Sequence, residues 1–221
     1  MSLKVSESST YEPLEPGEYL GVCYKIVDMG ERIETYQNES NKRKSLFITW
    51  ELPNKLGTDG RPYSISKKYT ASLNEAANLY KDITNWRGKP FTAEEKKGFD
   101  VSKLIGAPAN LHIGMNKNGD KNVVSAIFRP EEFKITETIN PAQIFDLDVY
   151  LDFVKGEVND ETRKAAEVFD GLVSWMQQDI QTSFEYLAVE EQLAKEPKAT
   201  TNSGLSDLVK EDKEDDIEIP F

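Results

Sequence analysis

Apolar and polar positions alternate from Glu18 onward. Leu20, Val22, Tyr24 and Ile26 fall on one side and Tyr19, Gly21, Cys23 and Lys25 on the other, until Asp28-Met29-Gly30. A period of two residues predicts a long strand, in which Gly21 permits coiling or a bulge. Residues 31–45 are polar and aperiodic, so they read as a loop or the extended tip of a hairpin, strongly basic at its end. Leu46, Ile48, Trp50 and Leu52 then alternate with Phe47, Thr49 and Glu51 in a second strand, which Pro53 closes. Gly57, Asp59 and Gly60 mark a hairpin turn within residues 54–62. In a third strand Tyr63, Ile65, Lys67 and Tyr69 alternate with Ser64, Ser66, Lys68 and Thr70. Neither of its faces is purely apolar, so this strand is partly solvated or functional.

The period then becomes helical. Leu73, Ala76, Ala77, Leu79, Tyr80, Ile83 and Trp86 form an apolar stripe, and Ser72 with Glu75 three residues on has the spacing of a capping box. A basic, aromatic loop runs from Trp86 to Thr92, and residues 93–104 suit a short helix. Residues 109–115 make a fourth strand, with Leu111, Ile113 and Met115 on one face. Asn118-Gly119 lies in the hairpin turn that follows, and residues 121–129 make a fifth strand. Three strands, a helix and two more strands is the order of the five-stranded OB barrel. There the face of the second and third strands, with the loops between strands one and two and strands four and five, receives oligonucleotides or oligosaccharides. The expected class is therefore mainly β with helical additions (α+β), an OB barrel carrying its helix between strands three and four.

Residues 1–16 read as a leader, 17–135 as the barrel domain, 136–195 as a helical extension and 196–221 as a linker and tail. In the extension, residues 142–153 suit a short helix and Asn159 suits the cap of a longer one. Ala165, Phe169, Leu172, Met176, Ile180, Phe184 and Leu187 recur along it at three- and four-residue steps. That stripe must cover one side of the barrel or pair between subunits, which would make a homo-oligomer. Pro197, Thr200, Thr201, Asn202, Ser203 and Gly204 give residues 196–213 the composition of a flexible tether.

Charge changes the picture. The formal net charge of -12 is unevenly spread. Residues 1–140 carry 20 basic against 19 acidic side chains, whereas residues 141–221 carry 7 against 20. Residues 42–129 alone hold 16 basic and 8 acidic groups, a local net of +8. The chain is a basic body with an acidic end. Among 221 residues there is one cysteine, Cys23, and one histidine, His112, which excludes an internal disulfide and a Cys/His zinc site. No run of 18 apolar residues occurs and residues 1–13 are polar, so neither a membrane span nor a secretion signal is expected.

Gripping a single nucleic-acid strand needs cations that follow the phosphates and aromatic faces for the bases, each stacked base contributing about 1–3 kcal/mol. The loop between strands one and two offers Tyr36, Lys42, Arg43 and Lys44, and Phe47 follows on the side opposite Trp50, which is assigned to the core. Arg61, Tyr63, Lys67, Lys68 and Tyr69 surround the third strand. Trp86, Arg87 and Lys89 lie after the helix, and Lys117 and Lys121 flank the last hairpin. All map to the predicted binding side of the barrel. Tyr63 and Tyr69 also suit the core, and the helix stripe argues for burial of Trp86.

The chain ends in Asp215, Asp216, Ile217, Glu218, Ile219, Pro220 and Phe221, an acidic run with an apolar plug and a free carboxylate. Such a segment buries too little to order itself, and its ring and charges suit a pocket rimmed by Lys and Arg on another protein. It resembles the tip of the bacterial single-stranded DNA-binding protein and of phage proteins that imitate it, usually Asp-Asp-Asp-Ile-Pro-Phe, from which it departs at Ile217. The body resembles phage single-stranded DNA-binding and replication-accessory proteins. The shared motifs are Trp50-Glu51-Leu52, Trp86-Arg87-Gly88-Lys89-Pro90-Phe91-Thr92 with Glu94-Glu95, Leu104-Ile105-Gly106 and Ser183-Phe184-Glu185-Tyr186. The resemblance implies an OB barrel that coats single-stranded DNA in replication, recombination or repair, in the cytoplasm of an infected bacterial host. Host or phage replication and recombination proteins would be the partners of the tip.

Two rival classes compete with this reading. Enzyme chemistry lacks its parts, since His112 falls mid-strand, Cys23 has no second histidine-type partner and no Gly-rich phosphate loop occurs. No catalytic residue, metal or cofactor is therefore expected, although a carboxylate nuclease using a hard metal stays open. An acidic adaptor that occupies the partners of a host single-stranded DNA-binding protein is disfavoured by the local +8 of residues 42–129.

Overall fold

The computed structural model of the chain describes residues 13–36, 38–131 and 137–195. Alternation from Gly17 builds β1 (Gly17–Tyr36), which returns past Asn38, at a φ of 65°, into β2 (Glu39–Leu56). Residues 31–45 are thus the extended hairpin tip rather than a loop, with Glu31 opposite Lys44 and Tyr36 opposite Glu39. β3 (Pro62–Thr70) pairs with β2, and β4 (Pro108–Met115) pairs with both β1 and β5 (Asn122–Phe128). These ladders are antiparallel, in the order β3-β2-β1-β4-β5, and a short β6 (Gln143–Phe145) joins β1 in parallel at residues 25–27. The class is α+β, as expected.

The sheet is not closed into the expected barrel by hydrogen bonds. No ladder joins β3 to β5 among the described residues, although these edges approach within 8 Å at their Cα atoms and α1 (Asn78–Arg87) packs against both.

Two register slips in β1 decide which side chains go inward. The first inserts one extra residue between Cys23 and Lys25. Cys23 and Ile26 consequently oppose Trp50 and Ile48 and share one core, where uninterrupted alternation placed them on opposite faces. Gly21 is not the slip but a close approach, since a Cβ there would lie 2.7 Å from Leu111 Cδ1. The second slip lies between Asp28 and Glu31 and contains Gly30, at a φ of 70°. A Cβ on Gly30 would meet Ser183 Cβ at 2.6 Å and Leu147 Cδ2 at 2.7 Å, so the helical extension docks directly on this kink.

The expected capping box at Ser72 does not form. Ser72 Oγ accepts from the Asn74 N–H and Asn74 Oδ1 from the Ala76 N–H, side-chain turns that compete with helix, so α1 begins only at Asn78. The capping box of this region is Thr92 with Glu95, opening α2 (Ala93–Lys97). Gly98 ends α2, and a 3-10 turn (Val101–Leu104) replaces the rest of the predicted helix.

In the extension, β6 occupies the start of the predicted first helix, and Asp146 caps α3 (Leu147–Val154). Asn159 does cap α4 (Asp160–Asp170), and Thr162 returns the bond. The single long helix predicted beyond it is three: α4, α5 (Ser174–Gln181) and α6 (Phe184–Lys195). Its stripe packs on the sheet as far as Ile180, where Phe169, Met176 and Ile180 share a second core with Val27 and Met29 of β1. Leu187, expected on the same stripe, is exposed, because the break between α5 and α6 shifts the helical phase and buries Val189 instead.

Candidate nucleic-acid interface

Residues opposed across a ladder share a face, so register defines the outer side of the sheet. Lys25, Thr49 and Ser66 form one row and Val27, Phe47 and Lys68 the next. The hydroxyls of Thr49 and Ser66 meet at 2.9 Å, as that placement requires.

The helical layer is riveted to this face. The fully buried Glu51 carboxylate accepts the N–H groups of Ile139 and Asn140, both at 2.8 Å. Glu185, in the first turn of α6, accepts the Glu31 N–H at 2.9 and 3.1 Å. Arg32 pairs with Asp179 of α5 at 2.7 Å, and the Lys42 ammonium stands 4.1 Å over the Phe184 ring. These contacts fix the root of the hairpin.

The covering is incomplete at Trp175, the second residue of α5, which remains 49% exposed. Its ring meets Phe47 edge to face at 5.4 Å. Phe47 thereby packs on the extension and is left partly exposed. Lys68, opposite Phe47 on β3, reaches Glu34 of the hairpin at 2.5 Å. Arg43 and Lys68 line one groove of about 690 Å³ beside the start of α1. Lys25 is half-buried on the same outer face without an ion-pair partner among the described residues, and burial holds its ammonium below the ordinary lysine range. For Lys44, burial pulls the same way, but Asp28 at 2.8 Å prevails and raises it.

Several expected contacts are internal. Asp82 accepts both Lys67 Nζ at 2.6 Å and the Tyr69 hydroxyl at 2.8 Å. Burial, then the Asp82 charge, keeps that phenol protonated far above its usual range. Trp86 is a core residue whose Nε1 donates to the Pro108 carbonyl at 2.7 Å, beside Trp50. Tyr63 is half-buried against the same core. Tyr69 and Trp86 are thus buried with their polar atoms bonded inside the fold, Lys67 is held by Asp82, and Tyr63 stays half-buried.

The remaining cations do not share one side. Arg87 binds Glu95 at 2.5 Å and, with the exposed Lys89, lines a groove at the other end of α1. Lys117 and Lys121 are exposed in the β4–β5 turn, near the start of β1, where Gly17 pairs with Ile113. Arg61, in the β2–β3 turn, is exposed, with Asp59 at 3.9 Å. Lys42, Arg43 and Tyr36 belong to the opposite, hairpin end of β1. The structure therefore brings Arg43 and Lys68 to one groove with Phe47 opposite Lys68, sets Lys44 beside Asp28 in another groove and Lys42 over Phe184, and separates them all from Arg61, Lys117 and Lys121.

Trp175 is absent from the sequence-derived set. Its signal was a tryptophan beside the helical stripe rather than on it. The tail residues 215–221 lie outside the described residues.

Among the described residues no group of three or more His, Cys, Asp or Glu side chains stands ready for a metal, and no helix is long and apolar enough to cross a membrane. No protein-family model, curated protein or solved structure matches the chain.

Proposed function

We propose that the chain is a non-catalytic single-stranded DNA-binding protein that coats exposed strands during phage replication, recombination or repair. The strand order, the helix between β3 and β4 and the approach of β3 to β5 support an OB barrel left open on one seam. The observation that carries the reading is the half-exposed Trp175 ring, set edge-on against Phe47 beside Lys68 and Lys25 on the outer face, Lys25 having no ion-pair partner among the described residues. A base stacks on Trp175, and its flanking phosphates meet Lys25, Lys68, Arg43 and Lys42. Stacking of this kind tolerates any base, so the binding is sequence-tolerant and weakens with salt.

The substitution W175A should weaken binding of oligo-dT about 5- to 150-fold, the equivalent of one stacked base at about 1–3 kcal/mol, with little change in thermal stability. Unchanged affinity would sink the proposal. The acidic tip ending in Phe221 recruits replication and recombination proteins of the host cytoplasm. Deleting Phe221 alone should spare DNA binding and abolish recruitment, and recruitment that survives refutes the docking role.

A further inference from the structure

The groove at the C-terminal end of α1 is the least neutralised concave surface among the described grooves. It encloses about 670 Å³ and is lined by Arg87, Lys89, Lys103 and Arg129 against two carboxylates, Glu95 and Asp100. Both carboxylates are already engaged. Glu95 accepts from Arg87 and from the Thr92 N–H, and Asp100 accepts from the Ser102 N–H. Arg87 lies over the rings of Phe91 and Phe99, at 4.8 and 5.3 Å. Lys89, Lys103 and Arg129 are exposed and make no ion pair among the described residues. Arg129 lies along the helix end, where a Cβ on Gly88 would sit 3.4 Å from its Cδ.

Cations at a helix C-terminus also answer the helix dipole, a role that Arg87 fills from the last turn of α1 and Lys89 from just past its cap. Lys103 and Arg129 arrive from other elements and need another reason. The Arg43–Lys68 groove lies at the opposite end of this same helix, which has 10 residues and so spans about 15 Å. Between the two grooves Asn78, Lys81, Asn85 and Gly88 recur at three- and four-residue steps, and all are exposed. Lys81 likewise has no ion-pair partner among the described residues.

We infer that a bound DNA strand continues from the outer sheet face along the exposed side of α1, past Lys81, and sets a phosphate into the groove of Lys89, Lys103 and Arg129. The inference rests on the single-strand reading above.

The test uses the full chain and two oligo-dT probes, about 6 and about 20 nucleotides long, which fall within and beyond the roughly 4–16 nucleotides covered by one OB fold. The double substitution K103Q/R129Q should lower affinity for the long probe about tenfold and leave the short probe unchanged. It should also reduce the log–log salt slope on the long probe by about 1.4, two contacts at ~0.7 each. Removing equal charge from the exposed side of α4, as R163Q/K164Q, should change long-probe affinity less than about twofold. Equal loss on both probes, loss on neither, or an equal effect of the α4 control overturns the track. In each of these cases, W175A weakening both probes shows that the sheet-face reading still stands. If W175A alters neither probe, that reading has failed and the track falls with it.

Discussion

The two faces of the β1–β2 ladder are finished differently. Inward, Cys23, Ile48, Trp50 and Leu52 meet α1, β4 and β5, and these four side chains are at most 1% exposed. Outward, β1 meets three helices, α3, α5 and α6, yet Trp175 stays half exposed, Lys25 has no ion-pair partner among the described residues and Lys68 stands in a groove. A core that only has to be stable closes over its aromatic rings. A surface that stops one ring short of closure, with cations beside it, has room for a flat partner that is not part of the chain.

That contrast breaks most directly at Gly30. Alanine there must hold a φ of 70° and bring a Cβ within 2.7 Å of both Ser183 and Leu147. G30A should cost about 2–4 kcal/mol in urea unfolding, from strain plus overpacking, as the helical layer lifts from the outer face. A loss below about 0.5 kcal/mol would mean that the layer is not seated on this kink.

The inward face is sharpened by its two tryptophans. Trp86 Nε1 has the Pro108 carbonyl as partner, whereas the buried Trp50 Nε1 has none among the described residues. Phenylalanine deletes similar apolar contact at both sites but orphans a buried carbonyl only at Trp86. W86F should therefore cost about 1–2 kcal/mol more than W50F in equilibrium denaturation, and equal costs would contradict the assignment.

The remaining effect is read from pH. Burial pushes the Cys23 thiol up from 9.0 to about 12. Above pH 9 the unfolded chain releases this proton and the folded chain keeps it, so unfolding gains and stability falls with rising pH. The contribution reaches about 1.4 kcal/mol per pH unit and ends as pH passes the folded value. C23A should flatten that part of the alkaline profile relative to the parent. An unaltered slope would place the thiol in contact with solvent.

Strand positions were largely legible, because a period of two with Trp50, Leu52, Leu111 and Ile113 on the buried side has only one good burial. The two bulges were not. One extra residue at Tyr24 changes no local preference, yet it reverses every subsequent facing, and only the partner strand reveals it. The helical stripe from Ala165 to Ile180 was read correctly as a buried face and wrongly as one rod. Apolar steps of three and four residues survive the break at Gly171, since the pieces fold back on one core. At the candidate site, charge and aromatic content pointed to a type of ligand but not to the side that receives it. Lys67 and Tyr69 read as surface chemistry until Asp82, 15 and 13 residues away, took both.

Local periodicity thus settles which segments extend, which coil and which residues prefer burial, since each of these depends on neighbours within a few positions. Which cations stay unpaired, and which tryptophan stays uncovered, depends on partners far along the chain. Among the described residues Lys25 meets no carboxylate, Trp50 and Trp86 are enclosed, and Trp175 is left at the edge because the helices stop where they do. Those are properties of tertiary packing, where side chains compete for the same space and the same charges.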